Sequence, residues 1–135
     1  MTNCIFCDIV EGRIPSIRVH EDEDFIVLMD INPLTSGHLL VITRQHYAST
    51  LDVPDSILAK ALPLTKKIAE AALLGVGAPA FNVIINNGPE SGQAVNHWHL
   101  HVVPRRAPEE MPLKVGAPAD LTKLPFTAAA IRENL

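Results

Sequence analysis

The order of apolar and polar residues along the chain predicts short strands interspersed with helices. Residues 5–10 suit a short helix, closed by Gly12 and Pro15, and a brief strand follows around residues 17–20. Glu21, Asp22, Glu23 and Asp24 make a solvated turn. Residues 25–29 and 38–43 are apolar runs of strand length. Asn32, Pro33, Ser36 and Gly37 lie between them, so the pair reads as a hairpin with a tight connection. From Pro54 to about Leu74 the spacing turns helical, with Ile57, Ala61, Leu64, Ile68 and Ala72 on one face and Lys60, Lys67 and Glu70 elsewhere. Pro63 is expected to kink this helix or delay its start, and Gly75 and Gly77 to stop it. Residues 80–86 return to a strand, and a glycine-bearing loop over 87–93 leads into the next. Beyond Arg105, Pro108, Pro112, Pro118 and Pro125 predict a loop-rich arm that ends in a short helix over about 127–134. Short strands in a meander with helices set apart from them predict an α+β fold on an antiparallel sheet. Residues 1–105 are expected to form its body, and residues 106–135 an arm of the same domain.

One strand is chemically unusual. His97, His99 and His101 alternate with Trp98, Leu100 and Val102, so in an extended chain the three imidazoles share one face and the apolar residues the other. A chance cluster of surface or core histidines is the plain reading of such a run. A metal site is the sharper one, yet residues four apart on a strand lie roughly 13 Å apart, so three imidazoles do not readily converge on one ion. A neutral imidazole, with an ordinary pKa of about 6.5, is also a nucleophile and a proton carrier near pH 7.

Composition narrows the setting. The 135 residues suit one domain, and the 47% that are apolar can fill its core. A formal charge of -4 argues against general binding to nucleic acid or an anionic membrane, although Arg105 and Arg106 form a local basic pair. Phosphate chemistry on small molecules fits better. No apolar run is long enough to span a membrane, and the first residues do not read as a signal peptide, so the cytoplasm is the expected location. With two cysteines in a reducing compartment, a disulfide framework is not expected.

The run Gly92-Gln93-Ala94-Val95-Asn96-His97-Trp98-His99-Leu100-His101-Val102-Val103 resembles the signature of the histidine triad family of nucleotide hydrolases and transferases. The likeness extends upstream through Cys4-Ile5-Phe6-Cys7-Asp8-Ile9, Met29-Asp30-Ile31-Asn32-Pro33 and Gly37-His38-Leu39-Leu40-Val41-Ile42. It implies a five-stranded antiparallel sheet with two main helices, joined in a homodimer as a ten-stranded sheet. It also implies that His99 attacks the α-phosphorus of a purine nucleotide to form a nucleotidyl-histidine intermediate, splitting one hard displacement into two. His101 and His38 would then surround the phosphate oxygens, where donors stabilise developing charge. Asn86 and Gln93 match positions that contact phosphate or leaving group, beside the flexible Gly88–Gln93 loop. Asp30 matches the acid that accepts from ribose hydroxyls, although as a turn residue it also suits capping Asn32. Phe6, Ile9, Leu28 and Ile31 match an apolar cleft around the base, and plain core packing is an equal reading of Ile9 and Leu28. The resemblance also counts Ala94 and Val95 among the nucleotide-binding residues, with position 94 near the leaving group. Where some members carry a hydroxyl residue, this chain has Ala94, which can neither donate nor accept a proton.

The spacing of Cys4 and Cys7 is half of a tetrahedral zinc site, with free buried thiols as the alternative. The resemblance supplies the other half, His46 and His97, in a closed structural site that would make the triad unequal. His97 would anchor, His99 attack and His101 bind phosphate. The expected activity is hydrolysis of adenosine 5'-phosphoramidate-type substrates without a catalytic metal. Hydrolysis of dinucleoside polyphosphates and a non-catalytic nucleotide-binding dimer are the alternatives.

Overall fold

The computed structural model describes residues 2–108 and 116–135. Its helices are α1 (Ile5–Val10), α2 (Asp55–Val76) and α3 (Leu124–Arg132), and its strands β1 (Arg18–Glu21), β2 (Phe25–Met29), β3 (Leu39–Thr43), β4 (Ala80–Ile84) and β5 (His99–Arg105). Every pairing is antiparallel, and the strand order β1-β2-β3-β5-β4 places the histidine strand inside the sheet and β4 at its edge. The five antiparallel strands with helices set apart are as the sequence predicts, but the sheet is not a simple meander: after β3 the chain runs through α2 to β4 at the edge, and β5 returns between β3 and β4. No helix among the described residues is long and apolar enough to cross a membrane.

The sheet carries a hydrophobic layer on each side. Phe25, Val27, Leu39, Val41, Trp98, Leu100 and Val102 meet Ala61, Ile68 and Ala69 of α2, while Ile26, Leu28, Leu40 and Ile42 meet Phe6 and Ile9 of α1. Alternation along β2 and β3 feeds both layers, so these strands read as continuous apolar runs. In register, His101 pairs with Leu40 and His99 with Ile42. The histidines therefore face α1, and Trp98, Leu100 and Val102 face α2.

Several local expectations change. Nine residues connect β2 to β3, so the connection is not tight, and Asp30 and His38 stand at its two ends. Helix α2 starts at Asp55 and continues through Pro63. Pro63 lies on the solvent face, where the carbonyl it leaves without an amide partner belongs to exposed Ala59 and water can bond it. Gly75 is part of α2. The stop is Gly77, whose φ of 67° is the left-handed cap that favours glycine. Gly37 has φ 90°, and a Cβ there would lie 2.9 Å from Val76 Cγ1. Strand β4 ends at Ile84, two residues early, and β5 begins at His99, with His97 and Trp98 just before it. Helix α3 starts three residues early because Pro125 sits in its first turn, where a missing amide costs nothing. Pro112 and the 109–115 part of the arm lie outside the described residues.

Candidate active site and metal centre

A cavity of about 360 Å³ opens between α1, the 14–17 segment and the α1-facing side of the sheet. Its walls are apolar, with Phe6, Ile9, Ile17, Leu28, Ile31 and Val95 among them, and Asp30, His99 and His101 supply polar atoms. Phe6 meets the His99 ring edge-on, with centroids 5.0 Å apart.

Hydrogen bonds fix the ring states. His99 Nδ1 lies 2.7 Å from the His97 carbonyl, which can only accept, so Nδ1 carries the proton and Nε2 keeps its lone pair. Burial pushes the pKa of His99 down, and the ring is neutral near pH 7. Behind it stands a relay. The Leu34 amide donates to His38 Nδ1 at 3.0 Å, so the proton of neutral His38 sits on Nε2. That Nε2 is 2.9 Å from His101 Nδ1 and 3.4 Å from Asp30 Oδ2. His101 Nδ1 therefore accepts, and its own proton is on Nε2. Burial, with His99 and His38 adding to it, pushes His101 down to about 4. The other Asp30 oxygen accepts from the Asn32 amide at 2.8 Å, the turn-capping bond that the sequence suggests.

A second cluster lies at the N-terminal end of α1. The donor atoms of Cys4, Cys7, His46 and His97 all lie within 4.8 Å of one another. Sulfur and nitrogen approach to 3.4 Å for Cys4 and His97, 3.5 Å for Cys7 and His97, and 3.3 Å for Cys7 and His46. Those are close to the roughly 3.5 Å edges of a tetrahedron with S and N ligands around one ion. His97 Nε2 donates to the Thr43 carbonyl at 2.7 Å, which leaves the Nδ1 lone pair facing the sulfurs. The residues thus fit a tetrahedral metal, which when bound would supply cross-linking of α1 to the sheet. Burial and the neighbouring Cys4 sulfur push the Cys7 thiol up to about 11, so a cation binds there by displacing protons.

The HIT domain family pattern matches residues 11–108. The chain belongs to the HIT domain family. An adenosine 5'-monophosphoramidase of Saccharomyces cerevisiae is 40% identical over 119 residues, 88% of this chain and 72% of the yeast protein. An adenylylsulfatase of Arabidopsis thaliana is 35% identical over 104 residues, 77% of this chain but 53% of the plant protein, so the chain spans about half of that relative. Among solved structures, a Zn-bound histidine triad family protein from Mycobacterium smegmatis superposes with a TM-score of 0.77 at 37% identity, covering 98% of this chain and 96% of the other.

Against this HIT frame, the residues read from sequence fall into three groups. Phe6, Ile9, Leu28, Asp30, Ile31, Ala94, Val95, His99 and His101 line the cavity. His38 stands behind His101 and is only 2% exposed, while His97 is fully buried, with both ring nitrogens turned to the metal cluster and Thr43. Asn86 and Gln93 are absent from the cavity wall. The Gln93 amide instead accepts from Gly88 N and donates to the Ala48 carbonyl, at 2.8 and 2.7 Å. The Gly88–Gln93 loop likewise turns the Ser91 and Gly92 amides onto its own carbonyls. Sequence reasoning missed the pairing of Asp30 with His38. The β2–β3 register held its signal, because Met29 opposes Leu39 and the next pair outward is 30 and 38. The Leu34 amide and Thr43 carbonyl, which set two ring tautomers, leave no mark in side-chain identity.

Proposed function

We propose that this HIT protein hydrolyses nucleoside phosphoramidates of the adenosine 5'-phosphoramidate type at the α-phosphorus. The observation that carries the reading is the His99 ring, neutral and held by the His97 carbonyl, with its Nε2 lone pair free at an apolar cavity. Nε2 attacks phosphorus, the P–N bond breaks, and the protonated substrate nitrogen departs as the free amine. The His101 Nε2–H hydrogen-bonds a phosphoryl oxygen as charge develops, and His38 holds His101 in that tautomer. Water then displaces His99 from the nucleotidyl-histidine, giving the nucleoside monophosphate and restoring the ring. Phe6, Ile9, Leu28 and Ile31 would enclose the base, and Asp30 would accept from the ribose. Ala94 brings no hydroxyl to the leaving group, so the departing nitrogen must draw its proton from the substrate or water.

Zinc is our assignment for Cys4, Cys7, His46 and His97, supported by the S₂N₂ donor set and by the Zn-bound relative. A homodimer joined through β4 is supported by its edge position and by Phe81 and Val83, exposed on the same strand. Acid-stable trapping is unsuitable for a phosphohistidine, so the test is alkaline quench and mass analysis during turnover of adenosine 5'-phosphoramidate. A nucleotidyl adduct on His99 is expected. Faster turnover of dinucleoside polyphosphates would transfer the assignment to that class, and tight binding with no turnover of either would make the protein a binder.

A further inference from the structure

Helix α1 belongs to two sites at once. Its N-terminal end carries Cys4 and Cys7 of the metal cluster, and the intervening Ile5 and Phe6, with Ile9, line the nucleotide cavity. Six residues do not hold a helix in water by themselves, so tertiary fastenings decide where this wall stands. At its C-terminal end the fastenings are hydrogen bonds and an ion pair from side chains of the polypeptide, present with or without a metal. Arg18 donates to the Ile9 carbonyl at 2.6 Å, and buried Asp8 accepts from Arg13 Nε at 2.9 Å. At the other end Phe6 packs into the α1-side layer, and the polar ties among the described residues are few: the Cys4 sulfur caps the Cys7 amide at 3.4 Å, and the Thr2 amide reaches Asp8 at 2.7 Å. Phe6, one residue from Cys7, touches the rings of both His97 and His99.

We infer that the metal cluster is a positioning device for nucleotide binding, in which Cys4, Cys7 and His46 fix the α1 wall of the cavity. The inference rests on the metal assignment above. With the cluster filled, α1 is tied at both ends, and Phe6 and Ile5 are set against the base. Without it the N-terminal half of α1 loosens and Phe6 packs less firmly on Ile26, Leu28, Leu40 and Ile42, while the strands stay paired to one another and covered by α2 on the other side. Coupling of this kind is reciprocal, so nucleotide should hold the metal as firmly as the metal holds nucleotide.

His46 gives the cleanest probe, because it is exposed, lies after β3, and is absent from the cavity wall. In the full chain, His46→Ala is expected to lower bound zinc and to weaken binding of adenosine 5'-monophosphate about tenfold, mainly through KM in turnover assays. His46→Asp, which restores a ligand, should recover both. Hydrogen exchange should quicken at residues 5–8 and remain unchanged at residues 39–43 and 99–105. In the unmodified protein, adenosine 5'-monophosphate should tighten zinc affinity, measured by equilibrium competition with a chromogenic chelator, by a similar factor. One equivalent of zinc, with its removal leaving nucleotide affinity and α1 exchange unchanged, would overturn the coupling while sparing the metal assignment. Purified protein that holds no zinc and cannot be loaded would overturn both.

Discussion

Asp30, His38 and His101 form one group of potential ligand atoms within 4.8 Å of one another, and Cys4, Cys7, His46 and His97 form another. By distance alone each could hold an ion. What separates them is one backbone group behind one ring. Behind His97 is the Thr43 carbonyl, which takes the Nε2 proton and turns a lone pair inward. Behind His38 is the Leu34 amide, which takes the Nδ1 lone pair and turns a proton inward. A cation held by Asp30, His38 and His101 would need His38 as a doubly engaged imidazolate, which a neutral-pH imidazole does not become. A histidine is thus made a ligand or a donor by what stands on its far side.

The largest expected effect falls on His99, which belongs to neither group but hangs from the carbonyl of His97. His99→Ala should reduce turnover by about ten-thousand-fold or more, with nucleotide binding and zinc content retained, read by steady-state kinetics and calorimetry. Next comes Cys7→Ser, expected to take zinc from one equivalent to near none by elemental analysis. With zinc at a thousand times its Kd, losing that linkage costs about 4 kcal/mol of unfolding free energy, measured by denaturant titration. His38→Gln should do the converse, lowering kcat about tenfold to hundredfold while leaving zinc untouched. If His38→Gln also emptied the metal site, the division between the groups would collapse. A subtler check is nitrogen-15 NMR of the unmodified protein, with protons expected on Nδ1 of His99 and on Nε2 of His38 and His97.

How far the sequence carried depended on what each feature is made of. The alternation of His97, Trp98, His99, Leu100 and His101 foretold a face of imidazoles and a face of core, and β5 has both, because side-chain period is a property of the strand itself. The helix of residues 55–76 was legible for the same reason. Pro63 misled because its effect depends on which carbonyl loses a partner, and at exposed Ala59 water is available. Pro125 misled because a proline in a helix's first turn is favourable, and sequence alone does not say where that turn lies. At the site, Phe6, Ile9 and Asp30 were reached through resemblance. The tautomer-setting contacts of Leu34 and Thr43 are made by main-chain atoms that every residue has, so no residue type announces them.

The smallest effect concerns acid, and it sharpens the same division. His101 has an ordinary value of 6.5 and a folded value near 4, lowered chiefly by burial. Between those limits the unfolded chain binds more protons than the folded one, so stability rises with pH across the window. The contribution of His101 is therefore complete above about pH 6.5, shrinks as pH falls, and is gone below about 4. Melting temperature should fall by a few degrees from pH 6.5 to 5, whereas kcat for a phosphoramidate should show no inflection near 6.5, because the relay stays neutral there. Thiolate protonation releases metal on acidification, so zinc must be followed in the same samples. An inflection in kcat near 6.5 at constant zinc would mean that the relay charges like solvent-exposed imidazole, and the ring states assigned to His38 and His101 would have to be abandoned.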